Sequence, residues 1–165
     1  DMADAFDAIG RRIEATAALH QMLHDSPLDD AVMMDDFLKE IASLLQDSAP
    51  DNVSISCEAS PVAISTSVAS SIAVIVSEFV ANSIKHAFVD SQSGHVAISG
   101  KSLADGRLEI TCEDNGDANP ESTAAKTSAS GLGKRIMKAS ASQIGATLEN
   151  GPGPKGYRMV LTLPG

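Results

Sequence analysis

The chain has 165 residues, a formal net charge of −10, 43% hydrophobic residues and only 3% aromatic residues. That length fits one domain with a helical appendage, and its core must be filled by Ile, Val, Leu and Ala. The acidic balance excludes a general nucleic-acid surface, whose affinity rests on neutralising phosphates, and disfavours docking on anionic membrane.

In Asp1–His24, residues Met2, Phe6, Ile9, Ile13, Thr16, His20 and Leu23 recur at alternating spacings of four and three. This is a heptad-like seam, predicting a helical arm over 1–26 that packs in a bundle or against its copy. Ser26-Pro27 breaks it, and Asp29-Asp30 offers a start to a second helix, with Met33, Phe37, Leu38, Ile41, Leu44 and Leu45 on one face, ending near Asp47. The expected division is an arm over 1–26 and a globular domain over 29–165.

From Val53 the period becomes two. Val53–Cys57 and Val62–Ile64 read as strands, followed by a helix over roughly Ser67–Phe88. Strands are expected over His95–Ser102 and Arg107–Glu113, with Asp105-Gly106 as the turn between them. Cys57 and Cys112 fall on inward-facing strand positions, and two cysteines are too few for a disulfide framework, which suits a reducing compartment. A small and polar run from Asp117 to Ser130 has the composition of a mobile lid. Gly131-Leu132-Gly133 opens a helix to about Ile144, with Leu132, Ile136 and Ala139 expected on its buried side and Gly145 closing it. Strands over Thr147–Asn150 and Tyr157–Leu163 complete the chain. The expected fold is an α/β (α+β) two-layer sandwich, a mixed and mostly antiparallel sheet covered by helices on one face and preceded by the arm. No apolar run reaches the ~18–20 residues of a membrane span. Ile72–Val80 is the longest candidate, and nothing at the start resembles a signal peptide, so a cytosolic domain is expected.

The polar residues that stand out are on the helix over 67–88. Glu78, Asn82, Lys85 and His86 share one face of a regular α-helix, opposite Ile72, Val76, Phe79, Val80 and Ile84. A carboxylate, a carboxamide and two basic groups on one stripe suit a metal–polyphosphate ligand; an ordinary solvated face is the alternative. Taken singly, Asp114-Asn115-Gly116 reads as a turn and Gly131-Leu132-Gly133 as a tight helix entry.

In this order, Glu78–Asn82, Asp114–Gly116 and Gly131–Gly133 resemble the N, G1 and G2 boxes of the ATP-binding fold shared by gyrase, Hsp90, MutL and sensor histidine kinases. Val76–Phe88 resembles the histidine-kinase form of the N box, and Arg11–Leu23 is similar to the second dimerisation helix of the HWE/HisKA_2 kinases. Gly156–Pro164 resembles that family's terminal strand. The resemblance implies a Bergerat (GHKL) fold binding Mg-ATP, with transfer of the γ-phosphoryl to a histidine and onward to a response-regulator receiver domain. It implies that Asp114 accepts the adenine amino proton, Asn82 holds Mg²⁺, and Glu78 orients a water or acts as base. By the same resemblance Lys85 and His86 lie near the phosphates, and Gly116, Gly131, Leu132 and Gly133 shape the nucleotide pocket.

Three departures go with it. Ala118 replaces the second glycine of the G1 box, Tyr157 stands where Thr is expected, and the helix carrying the phosphoacceptor histidine is absent from the chain. Neither His20, which lies in the apolar seam, nor His24 matches that acceptor, and His95 begins a strand as a structural or solvent-facing residue. The first two departures favour a degenerate, non-ATP-binding scaffold of the same fold as an alternative, and an anti-sigma-type serine kinase is a third reading.

Overall fold

A computed structural model describes residues 30–88, 93–116 and 131–165, together with the single positions 10, 17, 20–22 and 24. Of the arm's seam only His20 is described, helical and exposed and not packed; its other six positions and the expected lid, including Ala118, lie outside the described residues.

The element order is β1 (Ala31–Met33), α1 (Met34–Ser48), β2 (Val53–Ala59), β3 (Ala63–Ser65), α2 (Thr66–Asn82), a π-helical turn (Ser83–Ala87), β4 (Gly94–Ser102), β5 (Leu108–Asp114), α3 (Gly131–Gln143), β6 (Thr147–Pro152) and β7 (Tyr157–Leu163). Five strands form one sheet in the order β2-β4-β5-β7-β6. Among the described residues only the β2–β4 pair of this sheet is parallel; its other three pairings are antiparallel. The mixed, mostly antiparallel sheet is as expected. Gly106, at φ +88°, makes the turn between β4 and β5, and Gly145, at φ +64°, closes α3.

The helices lie on one face. Phe37, Leu38 and Ile41 of α1 and Ile72, Ile75, Val76 and Phe79 of α2 meet Ile98, Ile110, Cys112, Met159 and Leu161 of the sheet in one core. Gly100 lets α1 come close: a Cβ there would stand 2.9 Å from Leu38 and 3.1 Å from Ile110. On the other face the row is polar, with Ser54 and Ser56 of β2 bonded to the two ring nitrogens of His95 at 2.8 and 3.0 Å. His95 is therefore a cross-strand brace at the start of β4.

The first departure from expectation is at the entry to α1. Asp30, at φ 52°, does not cap it; β1 intervenes and pairs with β3, Ala31 opposite Ser65 and Met33 opposite Ala63. Thr66 N–H donates to the Asp30 carbonyl at 3.0 Å and Met34 N–H to the Val62 carbonyl at 2.8 Å, so the short ladder ties the starts of α1 and α2 together. Ser65 then caps α2, its hydroxyl accepting from Val68 N–H at 3.2 Å.

A second difference is in α3. Its buried residues are Gly133, Met137, Ser140 and Ala141, whereas Leu132 is 43% exposed, Ile136 half-buried and Ala139 exposed. The inward stripe follows 133, 137, 140 and 141, one position on from the expected 132, 136 and 139. The close approach of Gly133 to α2 turns the helix that way.

The third concerns α2 itself. Thr66–His86 is long and apolar enough to cross a membrane, with a mean hydropathy of 1.5, because Ser and Ala between the large apolar residues scarcely lower the average. Yet 67% of its most apolar 18-residue window is buried within the domain, where the helix serves as the central core helix.

Candidate functional site

The candidate residues come together at the C-terminal end of α2. Glu78 is on a helix buried nearly all round and is itself only 2% exposed, which removes the solvated-face alternative for that residue. A carboxylate so placed carries a large desolvation cost unless bonded or matched by a ligand. Asn82 follows one turn later and is half-buried.

The stripe does not continue as a regular helix. After Asn82 the backbone enters the π-helical turn Ser83–Ala87, with wider hydrogen-bond rings, so Lys85 and His86 leave the 3.6-residue spacing. Lys85 is exposed and His86 half-buried. The expectation of one straight face carrying all four groups is corrected to a close Glu78–Asn82 pair with the two basic residues beyond a register change.

Across from the pair is the first turn of α3. Gly131 opens the helix, and a Cβ on Gly133 would stand 2.9 Å from Glu78 Oε2 and 3.9 Å from Asn82 Oδ1. The absent side chain keeps open the space into which both oxygens face, at a helix start whose N–H groups favour negative charge. Leu132 lies beside it on the exposed side.

Asp114, at the end of β5, is 2% exposed and fixed from three directions. Oδ2 accepts from the Ser83 hydroxyl at 2.8 Å, and Oδ1 accepts from Gly116 N–H and Tyr157 N–H, both at 3.1 Å. These bonds hold the carboxylate in one orientation in the core. Asn115 anchors the same turn, its N–H donating to the His95 carbonyl at 3.1 Å and its Oδ1 accepting from His95 N–H at 2.8 Å. Gly156 brings the start of β7 against Asp114: a Cβ there would meet the Asp114 backbone carbonyl and stand 2.8 Å from Oδ1.

Tyr157 stacks on Phe79, with ring centroids 6.2 Å apart and planes 14° from parallel. Burial, then the nearby Asp114 charge, pushes the Tyr157 hydroxyl above its ordinary pKa.

Three contacts of Asp114 were not expected from the sequence: those of Ser83, Gly156 and the Tyr157 backbone, although Gly156 and Tyr157 stood in the terminal-strand motif. Ser83 left a trace in the pattern. It falls on the apolar stripe of Ile72, Val76 and Phe79, where a polar side chain needs a buried partner.

Residues 67–165 match the family described as histidine kinase-, DNA gyrase B- and HSP90-like ATPases. Blue-light-activated histidine kinase 2 of Erythrobacter litoralis (strain HTCC2594) is 27% identical over 164 residues, which are 96% of this chain and 47% of that protein. The chain thus spans about half the length of the curated relative it matches. The histidine kinase domain of the Erythrobacter litoralis EL346 blue-light activated histidine kinase superposes with a TM-score of 0.82 at 26% identity, covering 95% of this chain and 74% of that one. The ATP-binding domain of PrrB from Mycobacterium tuberculosis gives 0.64 at 28% identity, covering 83% and 98%. With an open mixed sheet, helices on one face and the matched region running from α2 to the end of β7, the chain belongs to the histidine kinase-, DNA gyrase B- and HSP90-like ATPase family and has its Bergerat ATP-binding fold.

Proposed function

We propose that this chain is the Mg-ATP-binding catalytic portion of a sensor histidine kinase. It presents the γ-phosphoryl to a histidine on a helix outside this chain, from which it passes to an aspartate of a response-regulator receiver domain. Residues 1–26 would belong to the dimerisation bundle and 29–165 to the ATP-binding domain, working in the cytoplasm. The 27% identity to a histidine kinase along almost the whole chain favours this reading over a serine kinase or a scaffold.

The observation that carries it is the pairing of two buried acidic groups with different settings at the end of α2. Asp114 is held by three donors and keeps acceptor capacity on Oδ2, suited to the exocyclic amino group of adenine. Glu78 and Asn82 direct oxygens into the space that Gly133 leaves beside a helix start. Such oxygens fit a hard cation, and Asn82 would hold Mg²⁺ with the polyphosphate. The ion, when bound, supplies charge neutralisation for the transferring phosphoryl group. Glu78, close to the metal residue and shielded from water, serves as base or water-orienting group toward the receiving histidine. Lys85 and His86 follow Asn82 on the π-helical turn, and we assign them to the outer phosphate side of the pocket. Gly116, Gly131 and Leu132 complete its rim.

Nucleotide titration with and without Mg²⁺ tests this reading. Wild type should bind ADP with an Mg²⁺-dependent affinity. Asp114→Asn keeps an oxygen for Gly116 and Tyr157 but replaces the other acceptor by an N–H₂, so affinity should fall at least ~10-fold. Equal binding by the two proteins would remove Asp114 from the site, and no binding by wild type at millimolar nucleotide would favour the scaffold.

A further inference from the structure

Asp114 has about four acceptor positions on its two oxygens. Among the described residues, Gly116 N–H and Tyr157 N–H fill both positions of Oδ1, and the Ser83 hydroxyl fills one of Oδ2. One acceptor position remains, on the oxygen that Ser83 holds.

Ser83 and Asp114 are 3% and 2% exposed, so their bond is shielded from competing water. The residues are 31 positions apart in the chain, and the bond ties the end of α2 to the end of β5. Inside a helix a serine hydroxyl commonly bonds back to the carbonyl four residues earlier. Here the Phe79 and Val80 carbonyls receive the Ser83 backbone N–H, and the hydroxyl donates to Asp114. Ser83 also directly follows Asn82 and begins the π-helical turn. One residue step thus separates the side chain assigned to the metal from the one gripping the base-reading carboxylate.

We propose that Ser83 is a positioning residue for base recognition: by occupying one side of Oδ2 it fixes the plane of the Asp114 carboxylate, leaves a single acceptor for a purine 6-amino group, and so sets discrimination between 6-amino and 6-oxo purine nucleotides. The inference rests on the nucleotide-site reading above. Without the hydroxyl, Oδ2 offers two positions and Asp114 loses the bond that holds its orientation. A 6-amino group then gains less from it, while a 6-oxo group, which offers no donor there, loses nothing.

The test is displacement of a fluorescent trinitrophenyl nucleotide by ADP and by IDP, in the presence of Mg²⁺, for wild type, Ser83→Ala and Ser83→Cys. Wild type should prefer ADP. Ser83→Ala should lower the ADP-to-IDP preference about three- to tenfold, through ADP alone, as expected for loss of a hydrogen bond to a buried charge. Ser83→Cys nearly keeps the side-chain volume with a weak donor and should fall between. A purely structural role would weaken ADP and IDP alike, and an unchanged ratio in either folded variant overturns the proposal. If wild type bound neither nucleotide, the kinase reading itself would fail, an outcome distinct from an unchanged ratio.

Discussion

At the scale of single residues, two glycines beside the site are glycine for different reasons, and alanine should separate them. At Gly133 the added Cβ meets the far end of one side chain, Glu78 Oε2 at 2.9 Å. Side chains shift more readily than backbone, and Ala is favoured over Gly in helix interiors by up to ~1 kcal/mol. Gly133→Ala should therefore fold with little change in melting temperature, while Mg²⁺-dependent nucleotide affinity drops because Glu78 is displaced and the cradle filled. At Gly156 the obstacles are the backbone carbonyls of Asp114 and Gly116, which no rotamer change can move. Gly156→Ala should cost ~1–3 kcal/mol or more by overpacking. Urea denaturation and ADP titration on both variants check the contrast; a Gly133→Ala protein as destabilised as Gly156→Ala would contradict it.

At the scale of elements, the edge strand β2 shows how a helix side chain completes a sheet. Gly94 N–H bonds the Asn52 carbonyl on the β4 side, which leaves the Val53 carbonyl and Ile55 N–H pointing outward. Gln46 of α1 takes both: its Nε2 donates to Val53 O at 2.8 Å and its Oε1 accepts from Ile55 N–H at 2.7 Å. The carboxamide behaves like one peptide unit of a missing strand and blunts the edge. Gln46→Glu keeps the acceptor for Ile55 but sets an oxygen against the Val53 carbonyl. It should lower stability at neutral pH by ~1–3 kcal/mol, read as a lower denaturation midpoint with unchanged slope. An unchanged midpoint would mean that solvent replaces the clamp without cost. Elements were legible in the sequence where period and punctuation agree, as at β4, Asp105-Gly106 and β5. They were missed where the cause is tertiary. β1 is three residues long and exists only because β3 pairs with it. The π-helical turn follows Asn82 with no Pro or Gly to announce it. The inward face of α3 turns on Gly133, which has no hydrophobicity to contribute to a periodic pattern. The same limit applies to the site. Glu78, Asn82 and Asp114 were picked out by the order of the boxes they resemble, but Ser83, Gly156 and the Tyr157 amide act through contacts between elements far apart in sequence.

At the scale of the molecule, one helical layer over one sheet leaves a core sealed from water on the helix side, and that seal sets the response to alkali. Burial raises the Cys112 thiol far above its ordinary 9.0, with a small push from Cys57. Cys57 is raised too, by burial first, with Lys39 opposing and Glu58 adding. Tyr157 lies above its ordinary 10.0 through burial and Asp114. All three groups are neutral when protonated, and all hold the proton more tightly in the folded chain. Above the unfolded values the unfolded chain binds fewer protons than the folded one, so the slope of stability with pH is negative. Their contribution is fully present below about pH 9 and is lost as pH rises through the folded values. Urea midpoints should therefore decline between pH 8 and pH 10.5, and Cys112→Ala, though less stable at pH 8 because of the cavity it opens, should decline less steeply. Parallel declines in the two proteins would exclude the buried thiol as a source. Native Cys112 should also react with a disulfide reagent only as fast as the fold opens, since the thiol lies at 0% exposure between the sheet and its helices. ADP, binding only the folded form, should slow that reaction in proportion to its occupancy, so the rate of thiol labelling at fixed alkaline pH links the core to the nucleotide site.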